Sequence, residues 1–211
     1  MAHSFEMPRS RVYIDSYEVD ARLKRLSGLT RVPLVEAVLR GDNARRNTGP
    51  LELPSSPSFN AVSKGVEALR EETIALGWHP SRFLNIEVAM NNDETIAITV
   101  TEGDEFTGVR AERDPHTVAL KGPNTTKAAD DNRLFEEPPV SLWYLLTRSV
   151  EEGLFAELSS PSAGNDGVII GWNERILLGN VSAPSGVGLA VPSQRISPSE
   201  QAIVNVVRRQ A

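Results

Sequence analysis

Apolar and polar residues alternate most regularly between Leu84 and Thr101. The apolar positions are Leu84, Ile86, Val88 and Met90, followed by Ile96, Ile98 and Val100. The polar run 91–94 separates the two sets. Because successive side chains of a strand point to opposite faces, this period of two predicts a pair of antiparallel strands, with Ala97, Thr99 and Thr101 on the solvent face. The apolar face of such a sheet must be covered by other elements.

Helical patterns precede this hairpin. The pattern over 19–26 predicts a helix that ends at Gly28, and Thr30 is a suitable N-cap for a second helix that ends near Gly41. A third helix is predicted from Ser58 to Gly77. Its apolar face carries Phe59, Val62, Val66 and Leu69. These helices are the expected cover of the sheet.

The pattern is less regular after the hairpin. A short strand is predicted over 106–109, and a long polar stretch follows over 110–139. The apolar run 140–150 fits a helix or a buried strand, because periodicity does not separate the two. Two further strands and the loop between them are predicted at 154–158, 167–178 and 159–166.

Composition divides the chain into three parts. Residues 1–46 form an N-terminal arm with the helix pair, and the proline-rich segment 47–58 links them to a core domain over 59–181. Residues 182–211 form a tail rich in proline and glycine, with a short helix predicted at 199–208. The expected fold class is α+β, with N-terminal helices packed on a mainly antiparallel sheet and long polar loops.

The composition limits the compartment and the chemistry. The chain has no cysteine, which excludes disulfides, thiolate metal sites and cysteine nucleophiles. No apolar stretch approaches the roughly 20 residues that span a bilayer, so we expect a cytoplasmic protein without membrane contact. The 18 arginines against 4 lysines suggest a GC-rich bacterial or mobile-element genome.

Common enzyme motifs are absent from the sequence. It contains no nucleophile elbow, no complete phosphate loop and no dinucleotide-binding glycine motif. We therefore predict no cofactor. Lys121 and Lys127 flank a polar loop whose donors suit an anion.

One hydrolase hypothesis remains open. Its candidate residues are the acidic and histidine side chains Asp104, Glu105, Asp114 and His116. An acidic group beside an imidazole could assist metal-dependent hydrolysis if these side chains converge. The spacing does not match a calcium loop, so the sequence assigns no metal site.

A DNA-binding hypothesis rests on the predicted N-terminal helix pair. Residues 1–50 carry a net charge of +3, against −9 for the remainder. The candidate DNA contacts are Arg31, Arg40, Arg45 and Arg46. The overall charge of −6 disfavours nucleic-acid binding through the whole surface.

The favoured interpretation is a non-enzymatic accessory or regulatory protein that binds another macromolecule. The partner is expected to be a protein, because an acidic body suits a basic partner surface. Oligomeric state is not predicted. Trp78, Trp143 and Trp172 are expected to anchor the core.

Overall fold

A computed structural model describes residues 10–111, 113–118, 127, 129, 131, 140–165 and 168–182. Its helices are α1 (Ser16–Arg25), α2 (Arg31–Arg46) and α3 (Ser56–Thr73), and a 3₁₀ turn, Ile74–Leu76, extends α3. Its strands are β1 (Arg11–Tyr13), β2 (His79–Phe83), β3 (Ile86–Met90), β4 (Ile96–Glu102), β5 (Ser141–Val150), β6 (Gly153–Asn165) and β7 (Val168–Asn180). The predicted α+β class is confirmed.

The seven described strands form one sheet in the order β1-β7-β6-β5-β4-β3-β2. The pairings β1–β7 and β4–β5 are parallel, and the other four are antiparallel. The sheet is therefore mixed, which bears out only part of the predicted antiparallel character. A parallel pairing needs a long crossover, and residues 103–140 supply it between β4 and β5.

The regular alternation at 84–101 contains two turns. Leu84 and Asn85 both have positive φ (50° and 63°), and they join β2 to β3 through a two-residue loop. Leu84 therefore belongs to a turn and not to the predicted first strand. β3 and β4 are antiparallel as predicted, but their ladder contains only Ala89↔Ile98 and Met90↔Ala97.

Both faces of the central sheet are buried. One face packs on the helices and holds Trp143, Leu145 and Ile98, while the other holds Leu142, Leu146 and Trp172. The prediction that the polar face of β4 meets solvent is wrong. Its residues there are Ala97, Thr99 and Thr101, which are 0%, 6% and 1% exposed.

Residues 103–111 and 113–118 help to cover this second face. The indole Nε1 of Trp172 donates to the carbonyl of Pro115 at 2.7 Å, and Thr117 forms an isolated bridge with Gly103. The strand predicted over 106–109 is wrong, because residues 105–108 form a turn in which Gly108 has φ +74°. All three tryptophans are buried, as expected.

Two glycines allow the helices to approach closely. α2 continues through Gly41, where a Cβ atom would lie 2.7 Å from the carbonyl oxygen of Ala61 in α3. At Gly65 of α3, a Cβ atom would lie 3.1 Å from Cγ1 of Val100. The predicted helix end at Gly41 is therefore wrong, because this glycine serves a helix–helix contact.

Three further predictions concern the segment 140–166, the helix at 199–208 and membrane-spanning segments. Residues 140–150 are mainly strand, and β6 continues through the predicted loop 159–166 as far as Asn165. The helix predicted at 199–208 lies outside the described residues. Within the described part of the chain, no helix is long and apolar enough to cross a membrane.

Candidate functional site

The sheet opens between β3 and β4. β4 pairs with β5 at all seven of its positions, whereas β3 pairs with β4 at two. The next hydrogen-bonding positions in the β3–β4 register are Glu87 and Val100, and they line a groove instead of pairing with each other. The two strands therefore separate while each remains part of the same sheet.

Arg70 of α3 holds the separated β2–β3 hairpin. Its Nε donates to the carbonyl of Val88 at 2.9 Å, and its Nη2 donates to the carbonyl of Ser81 at 2.9 Å. Nη2 also lies 2.8 Å from Oε2 of Glu87. Hydrogen bonds from Arg70 and then from Arg82 lower the pKa of the Glu87 carboxyl. These bonds fasten the hairpin to α3 at the end where β3 leaves β4.

The groove between α3 and the two strands has a volume of about 710 Å³. Its apolar walls are formed by Phe59, Val62, Val66, Ile74, Pro80, Ile86 and Val100. Phe59 and Ile74 are 71% and 59% exposed, although Leu69 on the predicted apolar face of α3 is fully buried. The apolar face of α3 is therefore covered at Leu69 and open at Phe59.

The backbone of β4 faces the groove at Val100. Ile96 accepts from the backbone N–H of Asn91 at 3.0 Å and donates to its side-chain oxygen at 2.8 Å, so its backbone groups point toward β3. Alternate residues of a strand point their backbone groups to the same side, which places those of Ile98 and Val100 there also. Ile98 pairs with Ala89. Val100 has no paired residue in the described ladder on this side, but the next such residue, Glu102, accepts from the backbone N–H of Val118 at 3.0 Å, so the unpaired edge is one residue long.

The rim of the groove is acidic. Three carboxylates line it, from Glu67, Glu71 and Glu87, against the single guanidinium of Arg70. These glutamate side chains are about half exposed, at 52%, 54% and 49%. Lys64 pairs with Glu67, and Arg40 pairs with Glu71. Arg70 and Arg82 both pair with Glu87. Carboxylates outnumber cationic groups three to one among the residues that line the groove, but a basic ligand group would compete with these existing pairs.

A second candidate region lies on β6 and β7, and its charged side chains are buried. Glu157 and Arg175 are 0% and 1% exposed, and they pair through two parallel bonds of 2.9 Å and 2.7 Å. Glu157 also accepts from the backbone N–H of Gly108 at 2.8 Å and from the hydroxyl of Ser159 at 2.7 Å. The carboxylate is thus hydrogen-bonded on both oxygens.

Arg175 extends this network to the covering segment. Its Nη1 donates to Asp114 at 3.1 Å, and its Nη2 reaches the carbonyls of Phe106 and Val109. Burial acts to lower the pKa of Arg175, but the hydrogen bonds and charges of Glu157 and Asp114 together outweigh it and raise that pKa. A buried pair with this many partners fixes the turn at 105–108 on the sheet and stays charged.

The hydrolase candidates do not converge on a metal site. Asp104 and Glu105 both pair with Arg113 at 3.1 Å, whereas Asp114 pairs with Arg175 and accepts from Ser10. The backbone carbonyl of His116 accepts from the N–H of Asp104. No group of three or more histidine, aspartate or glutamate side chains within the described residues could hold a metal ion.

The arginines of the DNA hypothesis are each paired with a carboxylate. Arg31 binds Asp20, Arg40 binds Glu36, Glu71 and Glu72, Arg45 binds Glu102, and Arg46 binds Asp42. Hydrogen bonds to Glu36 and Glu71 raise the pKa of Arg40. Of the anion candidates, Lys127 is exposed and Lys121 lies outside the described residues.

Sequence reasoning missed the groove. Phe59 and Val62 fit the apolar period of α3 as well as Leu69 does, so the pattern predicts one continuous buried face. A partial signal was the pair Glu67 and Glu71, which places charge beside that face. Comparison of the chain with family models, curated proteins and solved structures finds no match.

Proposed function

We propose that this protein is a non-enzymatic accessory or regulatory protein that binds an extended segment of a partner protein in the groove between α3, β3 and β4. The observation that carries the proposal is the short β3–β4 ladder, which ends after two pairs beside exposed apolar side chains of α3. An open strand edge binds an extended peptide through main-chain hydrogen bonds, and adjoining pockets select its side chains.

The groove defines the chemistry of the partner segment. Val100 and Glu87 face each other across the opening, and the bond from Val118 to Glu102 limits an inserted segment to backbone bonds at these two residues. Val62 and Val66 offer apolar contact, which suits β-branched side chains of an extended chain. The acidic rim suits lysine or arginine beside the apolar residues. The expected ligand is therefore a short β-strand with alternating apolar residues and a basic end.

The exposed apolar groups support this choice over the other hypotheses. Isolated exposed apolar residues are common, but Phe59 and Ile74 lie at one groove with an open strand edge. Nothing in the described residues favours the hydrolase or DNA hypothesis in the same way. The proposal accordingly concerns a protein partner.

Selection from a displayed library of random peptides of about 12 residues, with the full-length protein as the target, tests the proposal. We expect enrichment of peptides with alternating β-branched residues and at least one basic residue. The binding of those peptides should be lost in the double variant Phe59→Asp/Ile74→Asp.

Val32→Asp is the matched control, because Val32 is 69% exposed on α2 and does not line the groove. The control variant should bind the selected peptides as the unaltered chain does. Failure to enrich such peptides, or equal loss of binding in the control variant, would contradict the proposal.

A further inference from the structure

We infer that the hydroxyl of Thr99 selects a serine or threonine side chain in the partner segment. This inference rests on the proposed function and names a residue that determines the specificity of that site. Thr99 belongs to β4, lines the groove and is 6% exposed. Its hydroxyl is a polar group that an inserted segment covers on the face of the sheet away from α3.

The groove reaches both faces of the sheet. Its lining includes Val66 and Val100, which belong to the hydrophobic cluster under α3, and Tyr144, which belongs to the cluster on the opposite face. Thr99 is the partner of Tyr144 in the β4–β5 ladder, and directly paired residues point to the same face. Thr99 therefore lies on the face opposite α3, and the gap between β3 and β4 leads to it.

The hydroxyl of Thr99 makes no hydrogen bond within the part of the chain that the structure describes. Buried polar side chains are mostly hydrogen-bonded. Thr117, which is 2% exposed, shows this arrangement, because its hydroxyl oxygen accepts from the backbone N–H of Ile169 at 3.1 Å. The hydroxyl of Thr99 lies at the groove instead and is available to a ligand.

A segment inserted at Val100 places one side chain beside Thr99. The residue that bonds to the backbone of Val100 points toward α3, as Val100 does, and the next residue points to the opposite face. That next residue lies directly opposite Thr99, at a Cβ–Cβ separation of about 4.5–5.5 Å, which is within reach of a bond between two hydroxyls. This contact needs no backbone bond beyond those at Val100 and Glu87.

An apolar side chain at this place would be unfavourable. It would exclude water from the Thr99 hydroxyl and leave that hydroxyl buried without a partner. For the same reason, a site that hydrogen-bonds a ligand hydroxyl discriminates strongly against the analogue that lacks it. Threonine pairs with serine or threonine across strands through such a bond. Thr99 therefore favours serine or threonine over alanine or valine.

The surroundings of Thr99 limit the size of the group that reaches it. Val88 of β3 and Tyr144 of β5 lie on the same face, on the strands at either side of β4, and are 0% and 1% exposed. The ring of Tyr144 also makes an edge contact with Trp172, at a centroid distance of 6.2 Å. Long polar side chains would displace these packed residues, whereas serine and threonine are small.

Peptide selection on two proteins tests the inference. On the unaltered chain, the selection should enrich peptides with serine or threonine at one fixed position between apolar residues. On Thr99→Val, which keeps the shape of the side chain without its hydroxyl, the same selection should enrich alanine or valine at that position.

A double-mutant cycle measures the contact itself. In a selected peptide, the fixed threonine is replaced by valine, or the fixed serine by alanine. This replacement should weaken binding to the unaltered chain about tenfold, and binding to Thr99→Val by less than about twofold. Thr99→Ser keeps the hydroxyl and should retain the preference of the unaltered chain.

Thr107→Val is the matched control. Thr107 is 0% exposed, its Oγ1 has no hydrogen-bond partner among the described residues, and it does not line the groove. Because neither threonine has a side-chain bond to lose within the described residues, both valine variants should remain folded. The peptide replacement should weaken binding to Thr107→Val about tenfold, as for the unaltered chain.

The two proposals fail in different ways. Selected peptides without a fixed serine or threonine, or an equal effect of the peptide replacement on the unaltered chain and Thr99→Val, would overturn the selection by Thr99 and leave the proposed function intact. Absence of any selected peptide would overturn the proposed function and this inference with it.

Discussion

Two regions of the sheet, β6–β7 and β3–β4, differ in the kind of side chain that they bury. Across β6 and β7, charged groups are buried, and the Glu157–Arg175 pair is satisfied by several partners. Between β3 and β4, apolar groups are exposed and a strand edge is left open. The closed region is expected to contribute to stability and the open region to binding, so substitutions in the two regions should affect different measurements.

The largest effect is expected at the closed region. Arg175→Met leaves Glu157 buried without its cation and frees the turn at 105–108. Breaking one partner of a buried pair costs about 3–5 kcal/mol of unfolding free energy. Urea denaturation measures this cost.

The double variant Glu157→Met/Arg175→Met is the control, because it removes both charges and should recover part of the loss. A single Arg175→Met variant that loses less than about 1 kcal/mol would remove the distinction between the two regions.

A second prediction compares two residues of the same helix. Leu69→Ala should cost about 2–5 kcal/mol, because Leu69 is fully buried. Phe59→Ala should change the unfolding free energy by about 0.5 kcal/mol or less, because Phe59 is 71% exposed. Similar losses in the two variants, measured by thermal or urea unfolding, would show that Phe59 is covered.

A third prediction uses two glycines with the same φ of +74°. An alanine Cβ at Gly108 would lie 2.8 Å from the backbone N of Ala156, whereas one at Gly28 would meet nothing within 4 Å. Both substitutions carry the left-handed strain, so Gly108→Ala should cost more than Gly28→Ala by about 1–3 kcal/mol. Equal losses in urea denaturation would show that the turn at 105–108 is not packed on β6.

The smallest expected effect is a titration at the groove. Hydrogen bonds from Arg70 and Arg82 lower the pKa of Glu87 below its value in the unfolded chain. The associated stabilisation is therefore present above the unfolded pKa and is lost as pH falls through the folded pKa. NMR titration should show the pKa of Glu87 rising more in Arg70→Met than in Arg82→Met. An unchanged pKa in Arg70→Met would contradict the role of Arg70 in holding the hairpin.

The local sequence pattern predicted which segments form strands better than it predicted which of their residues are buried. The alternation at Ile96, Ile98 and Val100 correctly indicates a strand. The burial of Thr99 and Thr101 was not predictable from it, because it depends on tertiary packing on the second face of the sheet, where Trp172 donates to the carbonyl of Pro115. The parallel β4–β5 pairing joins residues 45 positions apart, and no local period records it.

The groove was less predictable than the fold for the same reason. The groove opens where Arg70 donates to the carbonyls of Val88 and Ser81. These are tertiary contacts, and the sequence around Arg70 does not distinguish it from other arginines on helices. Gly41 was expected to end α2, and its actual role depends on the backbone of Ala61 in another helix. Among the candidate site residues, Asp114, Arg31 and Arg45 pair with residues from other elements of the fold. The pairs of Arg40 with Glu36 and of Arg46 with Asp42 are four-residue spacings within α2.

Hydrogen exchange at Val100 tests strand addition most directly, in the full-length protein with and without a selected peptide. Without peptide, the account predicts that the amide of Val100 exchanges about 100-fold faster than that of Ile98, which pairs with Ala89. Saturating peptide should slow Val100 to the rate of Ile98. An amide at Val100 that is already as protected as Ile98, or that peptide leaves unchanged, would contradict the open strand edge.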